Sequence, residues 1–280
     1  MPELPEVETI KLGLQKYLVG HRIESTIVLN PKSFEGSVKK IVNTKIIKIH
    51  RFGKGLIIDF DNKKSLAIHI KMTGQLIFRD EKTKKIVVDK SKVGELPGKH
   101  TRVIFHLDKK AILYFNDIRK FGWIRVINSN EVDSLPFFKN LGPEPFKDLT
   151  EEKFVLIVSA SKIAIKPLIM DQKKIAGVGN IYANDALFLA KINPKRKANS
   201  LSLNECRLLY KSILEVMEKS LRFGGSSENT YVNVLGTTGE YQRHTLVYGK
   251  KGEKCINCSE EIIRIVIGGR STFFCPKCQQ

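Results

Sequence analysis

The sequence predicts an α+β chain in two domains. An antiparallel β-sandwich or barrel follows an N-terminal helix, and a helical domain then ends in a metal-binding β-hairpin. Three observations carry this expectation. Residues 22–127 hold many short runs rich in β-branched residues, separated by turns rich in Gly, Asn and Lys. Residues 150–223 space their apolar residues as helices do. Four cysteines form two Cys-x2-Cys pairs within the last 26 residues.

The first helix is expected over residues 2–18, where Val7, Ile10, Leu14, Tyr17 and Leu18 share a face. Pro2 and Pro5 fit only at its start, and Glu3, Glu6 and Glu8 suit the positive end of its dipole. The strands are expected at Ile23–Leu29, Lys45–His50, Leu56–Phe60, Leu66–Ile70, Gln75–Phe78, Arg102–Leu107, Ala111–Phe115 and Trp123–Ile127. Residues 128–149 carry three prolines and read as the connection between domains 1–127 and 150–223. In the second domain Thr150 can cap Glu151–Ser159, a short helix is expected over Leu168–Lys174, and Asn180 can cap Ile181–Ile192. Ser202 and Glu205 form a capping box for a helix to Phe223, with Cys206, Leu209, Ile213, Val216, Met217 and Ser220 inward. Gly224 and Gly225 end that helix. Residues 224–241 form a long Gly/Ser/Thr loop, a length that usually marks function or mobility. The last segment, 242–280, should carry strands Ile262–Ile267 and Ser271–Phe274 around a Gly268-Gly269 turn, with Arg270 at the tip.

Composition narrows the function. Of 280 residues, 42% are hydrophobic and 28% charged, which excludes a disordered or collagen-like chain. No apolar run approaches the ~20 residues of a membrane helix, and the acidic opening MPELPEVETIK is not a signal peptide. Forty-eight Lys and Arg against 29 Asp and Glu leave +19, and the pI is about 9.7. That excess implies a polyanionic partner, nucleic acid before an anionic membrane surface. Cys255, Cys258, Cys275 and Cys278 have the spacing of a four-thiolate zinc site rather than of two disulfides. Cys206 falls on an apolar helix face and is expected as a core thiol. Reduced thiols without an export signal point to the cytoplasm.

Three motifs can carry chemistry. Removal of the initiator Met would leave Pro2 with a free secondary amine, partly neutral at cellular pH and able to attack an electrophilic sugar carbon. Glu3 could move protons there. Equally, Pro-Glu at a helix start is ordinary capping chemistry. The Gly177-Val-Gly-Asn180 turn, flanked by Lys166, Lys173 and Lys174, would let backbone approach a phosphate, or simply turn a corner between helices. Ile70-Lys-Met-Thr-Gly74 and Asp117-Ile-Arg-Lys-Phe-Gly122 set large apolar side chains beside cations, either as wedges between bases or as core residues at strand ends.

Taken in order, the Pro2–Glu8 opening, the Asp117–Gly122 segment, the Gly177–Asn180 turn and the four-Cys finger resemble formamidopyrimidine-DNA glycosylase, along the whole chain. The resemblance implies a β-sandwich domain, a helix–two-turn–helix domain and a zinc-ribbon-like hairpin finger. It implies excision of 8-oxoguanine and ring-opened purines from double-stranded DNA, cleavage at abasic sites, one structural Zn2+, and a monomer with no obligate protein partner. By resemblance Pro2 is the Schiff-base nucleophile and Glu3 the general acid/base. Lys54 matches the lysine of phosphate contact and β-elimination, and Arg270 the finger arginine of phosphate contact and δ-elimination. Met72, Arg119 and Phe121 match the trio that fills the gap left by the flipped base. His100, Lys166 and Asn180 match DNA contacts, Lys162 stands next to the position of another, and the 224–241 loop would cover the everted base.

The chain departs from the family pattern at several places. It has Thr101 and Arg102 after His100, Ile118 and Lys120 where Pro and Arg are usual, and Ser161 beside Lys162 where a lysine is common. Two other readings are the sister activity on oxidised pyrimidines and a nucleic-acid-binding protein without catalysis. Leu4 favours the purine branch over endonuclease VIII, which usually has Gly there.

Overall fold

The computed structural model describes all residues, 1–280. The chain divides into two compact units: residues 1–139 with 223–242, and residues 140–222 with 243–280.

Unit 1 opens with α1 (Leu4–Leu18), two residues later than expected. Glu3 is the extended N-cap. Its side chain and that of Glu6 exchange hydrogen bonds with each other's backbone, forming a capping box, and Pro5 sits in the first turn where its missing N–H costs nothing. The strands are β1 (Ile23–Val28), β2 (Phe34–Glu35), β3 (Ile46–Phe52), β4 (Gly55–Phe60), β5 (Lys64–His69) and β6 (Gly74–Arg79). After the short helix α2 (Lys90–Val93) come β7 (Thr101–Leu107), β8 (Ile112–Asp117) and β9 (Trp123–Asn128). They form a four-stranded sheet, β1-β7-β8-β6, and a five-stranded one, β2-β9-β5-β4-β3.

The inner faces of both sheets supply one core. Ile49, Leu56, Ile58 and Ile68 meet Leu76, Phe78, Phe105 and Phe115, and Val7, Ile10, Leu14 and Leu18 of α1 join them. This is the sandwich of the resemblance rather than a barrel. One pairing differs from expectation: β2, two residues long, runs parallel to β9.

The segment after β9 is more than a connection. It holds a 3-10 turn (Ser129–Ser134) and α3 (Pro136–Lys139). Phe138 and Phe137 lie so close to Gly55 that a Cβ there would stand 2.6 and 2.9 Å from their ring carbons. Residues 223–242 also belong to this unit. Tyr231 and Val234 enter the main core, and the Phe78 amide donates to Val234 O at 2.8 Å.

Unit 2 holds α4 (Glu151–Ser159), capped by Thr150, then α5 (Ile165–Met170), α6 (Asn180–Leu189) and α7 (Leu203–Arg222). α5 lies earlier than the expected 168–174 because Asp171 leaves the helix, and Gln172 instead ties the turn by donating to Val178 O at 2.7 Å. α6 begins at Asn180 with Gly179 as its extended N-cap. Asn180 is therefore not the cap, and its carbonyl accepts from the Asn184 side chain at 2.6 Å. The Ser202–Glu205 capping box forms as expected. The chain ends in the hairpin β10 (Ile263–Ile267) and β11 (Arg270–Phe274). Its Gly268-Gly269 turn has φ of 56° and 72°, the left-handed pair that suits a tight two-residue turn.

Candidate active site and nucleic-acid interface

In unit 1 Pro2, the expected nucleophile, lies at the open end of α1. Pro2 is buried and precedes the helix, so its nitrogen has no place in the helical ladder. Glu3 and Glu6 are buried beside it, 3% and 1% exposed. Glu6 Oε2 accepts the Glu3 amide at 2.8 Å, and Glu6 Oε1 accepts the Ser226 amide at 2.8 Å. One carboxylate thus joins the helix start to the 223–242 segment. Burial, then the nearby Glu6, hold the Tyr231 phenol protonated, and its hydroxyl donates to Gly224 O at 3.0 Å. Sequence reasoning missed Glu228. Its side chain is exposed but partly desolvated by its neighbours, which raises its carboxyl, while the charge of the chain's N-terminal amine acts the other way.

Lys54 occupies the two-residue turn between β3 and β4 and is 4% exposed. Gly53, at φ 54°, makes the turn possible. Arg51 steadies its base by donating to Gly53 O at 2.8 Å and to Glu8 Oε2 at 2.7 Å. Burial would raise the Glu8 carboxyl, but the hydrogen bonds from Lys11 and Arg51 outweigh it and hold the group below its ordinary value. His69 is neutral: burial first, then the charges of Lys71 and Lys54, lower it to about 3. Its Nδ1 accepts the Lys71 amide at 2.9 Å, which leaves the proton on Nε2.

The structure brings Met72, Arg119 and Phe121 together. Arg119 donates to the Met72 sulfur at 2.9 Å and lies 4.7 Å over the Phe121 ring, while Met72 and Phe121 are 40% and 54% exposed. Asp117, fully buried, sets the loop by accepting the Arg119 amide at 3.2 Å and the Gly122 amide at 2.7 Å. Arg102, one of the departures, faces inward: it donates to Asp117 O at 2.8 Å and to Lys99 O at 3.1 Å. It thereby ties the Phe121 loop to the His100 loop. His100 itself is half-buried, with burial, then Lys99 and Arg102, lowering its pKa. It lines a cleft of about 410 Å³ with Lys90, Lys92, Lys99 and Ile118.

In unit 2 Arg270 is exposed at the hairpin tip, paired with Ile267. Lys162 is exposed between α4 and α5, and Asn180 is half-buried at the start of α6. Lys166 departs from expectation. It is 1% exposed, and its ammonium donates to Ser271 O at 2.9 Å and Thr272 Oγ1 at 2.7 Å. In this structure its ammonium is turned to the hairpin rather than to solvent, and it fastens α5 to β11, one residue from Arg270.

The four finger cysteines converge. Their sulfurs all lie within 4.8 Å of one another, with Cys255–Cys278 at 3.8 Å and Cys258–Cys275 at 3.5 Å. Sulfurs ~2.3 Å from one zinc would be spaced at about 3.8 Å. Amides of Asn257 and Cys278 donate to the Cys255 and Cys275 sulfurs at 3.4 Å. The donor set fits one structural Zn2+, which four thiolates enclose with no position left for water. Gln279 accepts the Cys275 amide at 3.0 Å and donates to Ile192 O at 3.0 Å, pinning the second knuckle to the end of α6.

Comparison with known proteins matches the formamidopyrimidine-DNA glycosylase N-terminal domain over residues 1–124 and its H2TH domain over 141–232. The zinc finger found in FPG and IleRS matches over 252–280. The formamidopyrimidine-DNA glycosylases of Lactococcus lactis and Listeria monocytogenes are 40% and 38% identical, across 100% of both chains in each case. The chain belongs to the formamidopyrimidine-DNA glycosylase family. It is a DNA glycosylase of base excision repair with abasic-site lyase activity.

Solved relatives have the same architecture. Lactococcus lactis Fpg in complex with abasic-site DNA is similar at a TM-score of 0.88 and 36% identity, covering 99% of each chain. A MutM complex with DNA containing carbocyclic 8-oxo-G is similar at 0.87 and 36%, covering 100% of each. No helix is long and apolar enough to cross a membrane.

Proposed function

We propose that this glycosylase excises oxidised purines, 8-oxoguanine and formamidopyrimidines, from duplex DNA in the bacterial cytoplasm. Pro2 is its nucleophile. The observation that carries the reading is the position of Pro2: buried beside two carboxylates, yet outside the helix it introduces. With Met1 removed, the Pro2 nitrogen attacks C1′ of the damaged nucleoside. The N–C1′ bond forms, the glycosidic bond breaks, and the base leaves as the sugar ring opens to an iminium. Glu3 carries the proton that ring opening requires. The iminium acidifies the C2′ protons, so the 3′ phosphate departs by β-elimination and the 5′ phosphate by δ-elimination. Lys54 supports the first elimination and Arg270 the second.

Reaching C1′ requires turning the base out of the stack, at a cost of a few kcal/mol. Met72, Arg119 and Phe121 offset this by filling the gap. His100, Lys162 and Asn180 hold the backbone, and residues 224–241 cover the everted base. Lys166 acts only through the hairpin that carries Arg270. Leu4 and the relatives crystallised with purine lesions favour purines; a Lactococcus lactis Fpg complex with oxidised-pyrimidine DNA, 35% identical, keeps the pyrimidine reading as the comparison substrate.

Borohydride reduction during reaction with an 8-oxoguanine duplex tests the proposal. The expected result is a covalent adduct that peptide mapping places on Pro2, and its loss in Pro2→Gly with DNA affinity nearly intact. Unchanged turnover in Pro2→Gly would remove Pro2 from the mechanism, and preferred excision of thymine glycol would favour the pyrimidine reading.

A further inference from the structure

The 223–242 segment is held in two different ways. Beyond residue 230 it is rooted in the core: Tyr231 and Val234 are buried in the main cluster, and Val232 packs with Ile77, Val93, Ile104 and Tyr114. Backbone bonds from Phe78 to Val234 and from Asp89 to Gly236 reinforce that root. The tip, residues 227–230, contributes no side chain to either cluster, and Glu228 and Asn229 are exposed.

Within the segment, buried Ser227 fixes the base of the tip: its amide donates to Gln242 Oε1 at 2.8 Å and its hydroxyl to Tyr231 O at 2.8 Å. From outside the segment, two side chains hold the tip. Lys92 of α2 directs its ammonium to Ser227 O at 2.8 Å and Asn229 O at 2.5 Å. Gln75 of β6, 2% exposed, donates to Thr230 O at 2.7 Å and to Lys92 O at 3.1 Å. Both N–H groups of the Gln75 amide are therefore spent on the loop and on the lysine that grips it. Nothing in the nucleophile site requires either residue. The Lys92 charge is directed at carbonyls rather than outward.

We infer that Lys92 and Gln75 are positioning residues that latch residues 227–230, and that the latch sets how long a damaged base is retained for excision. The inference rests on the reading that this loop covers the everted base. Core-anchored residues fix the hinge of the loop, while its tip closes through hydrogen bonds to carbonyls that water can replace. An abasic site has no base to cover, so its cleavage should not need the latch. A base that must be held until the glycosidic bond breaks does need it.

The test compares single-turnover excision from an 8-oxoguanine duplex with strand cleavage at a preformed abasic site, in wild type, Lys92→Met, Gln75→Leu and Lys92→Arg. In Lys92→Met and Gln75→Leu, excision should fall by about tenfold or more, and abasic cleavage should stay within about twofold of wild type. Lys92→Arg, which keeps the donors, should restore much of the excision. Amide hydrogen exchange should quicken at residues 227–230 of Lys92→Met and remain unchanged in β7 and β8. Equal loss of both activities, or unchanged excision, overturns the latch. Because Gln75 is buried, Lys92→Met decides the matter if Gln75→Leu fails to fold. If wild type excises no 8-oxoguanine, the functional reading fails instead. The exchange measurement then decides the latch by itself, with unaltered protection in Lys92→Met counting against it.

Discussion

In unit 1 the residues assigned to chemistry hang from an apolar core drawn from α1 and both sheets, so Pro2, Lys54 and Phe121 are placed by many small contributions. In unit 2 Arg270 stands on two five-residue strands in which only Thr272 and Phe274 are buried. What fixes it is concentrated in four cysteines and the Lys166 ammonium. Distributed support degrades gradually when perturbed; concentrated support fails at a point.

The largest effect expected from this contrast is metal removal. Apparent zinc binding contributes about 10–16 kcal/mol in small zinc domains, so stripping the ion, or Cys255→Ser, should unfold the hairpin and sharply weaken DNA binding. The single tryptophan, Trp123, sits in unit 1 against His69 and Phe137, so its emission should not shift. An emission change on chelation would mean that the two supports are not separate. Retained metal in Cys255→Ser would contradict the finger.

Lys166→Met is a smaller blow to the same unit. It leaves Ser271 O and Thr272 Oγ1 without their cation, at a cost of about 1–3 kcal/mol. Strand-cleavage products should shift toward β-elimination while base release stays within about threefold. A parallel fall in both would show that Lys166 serves the whole fold rather than Arg270.

The smallest effect is an acid response confined to unit 1. His69 has a folded pKa of about 3, below the ordinary imidazole value of 6.5, because burial opposes its charge. Its contribution is complete above about pH 6.5. Below that the unfolded chain takes up a proton that the folded one refuses, and the contribution is lost progressively down to about pH 3. Wild type should lose about 2 kcal/mol between pH 7.5 and pH 5 through this group. His69→Gln should lose correspondingly less, as urea unfolding at the two pH values would reveal; identical slopes would remove His69 as the source.

The same contrast explains what could be read from sequence. The strands and the buried face of α7 were legible because they depend on local spacing, and the two Cys-x2-Cys pairs because a metal imposes its own geometry. β2 was not, since two residues carry no periodicity. α3 was hidden by Pro136, which reads as a breaker until Phe137 and Phe138 are seen against Gly55. Asn180 looked like a cap because asparagine often is one, but Gly179 takes the extended position more easily. Lys166 and Lys92 could not be read at all: their partners lie more than a hundred residues away, and a lysine directed inward has the same letter as one facing a phosphate. Pro2 and Glu3 were legible as a free secondary amine beside a carboxylate, but the same two residues also make an ordinary helix start, and only the family likeness separated the readings.

The Asp117 carboxylate shapes the Phe121 loop through main-chain amides rather than through the side chains at positions 118 and 120. Those positions can therefore drift, as Ile118 and Lys120 have done here, while the curve of the loop persists. Lineages could exchange the residues on either side of Arg119 without having to reinvent the frame that presents Arg119 and Phe121.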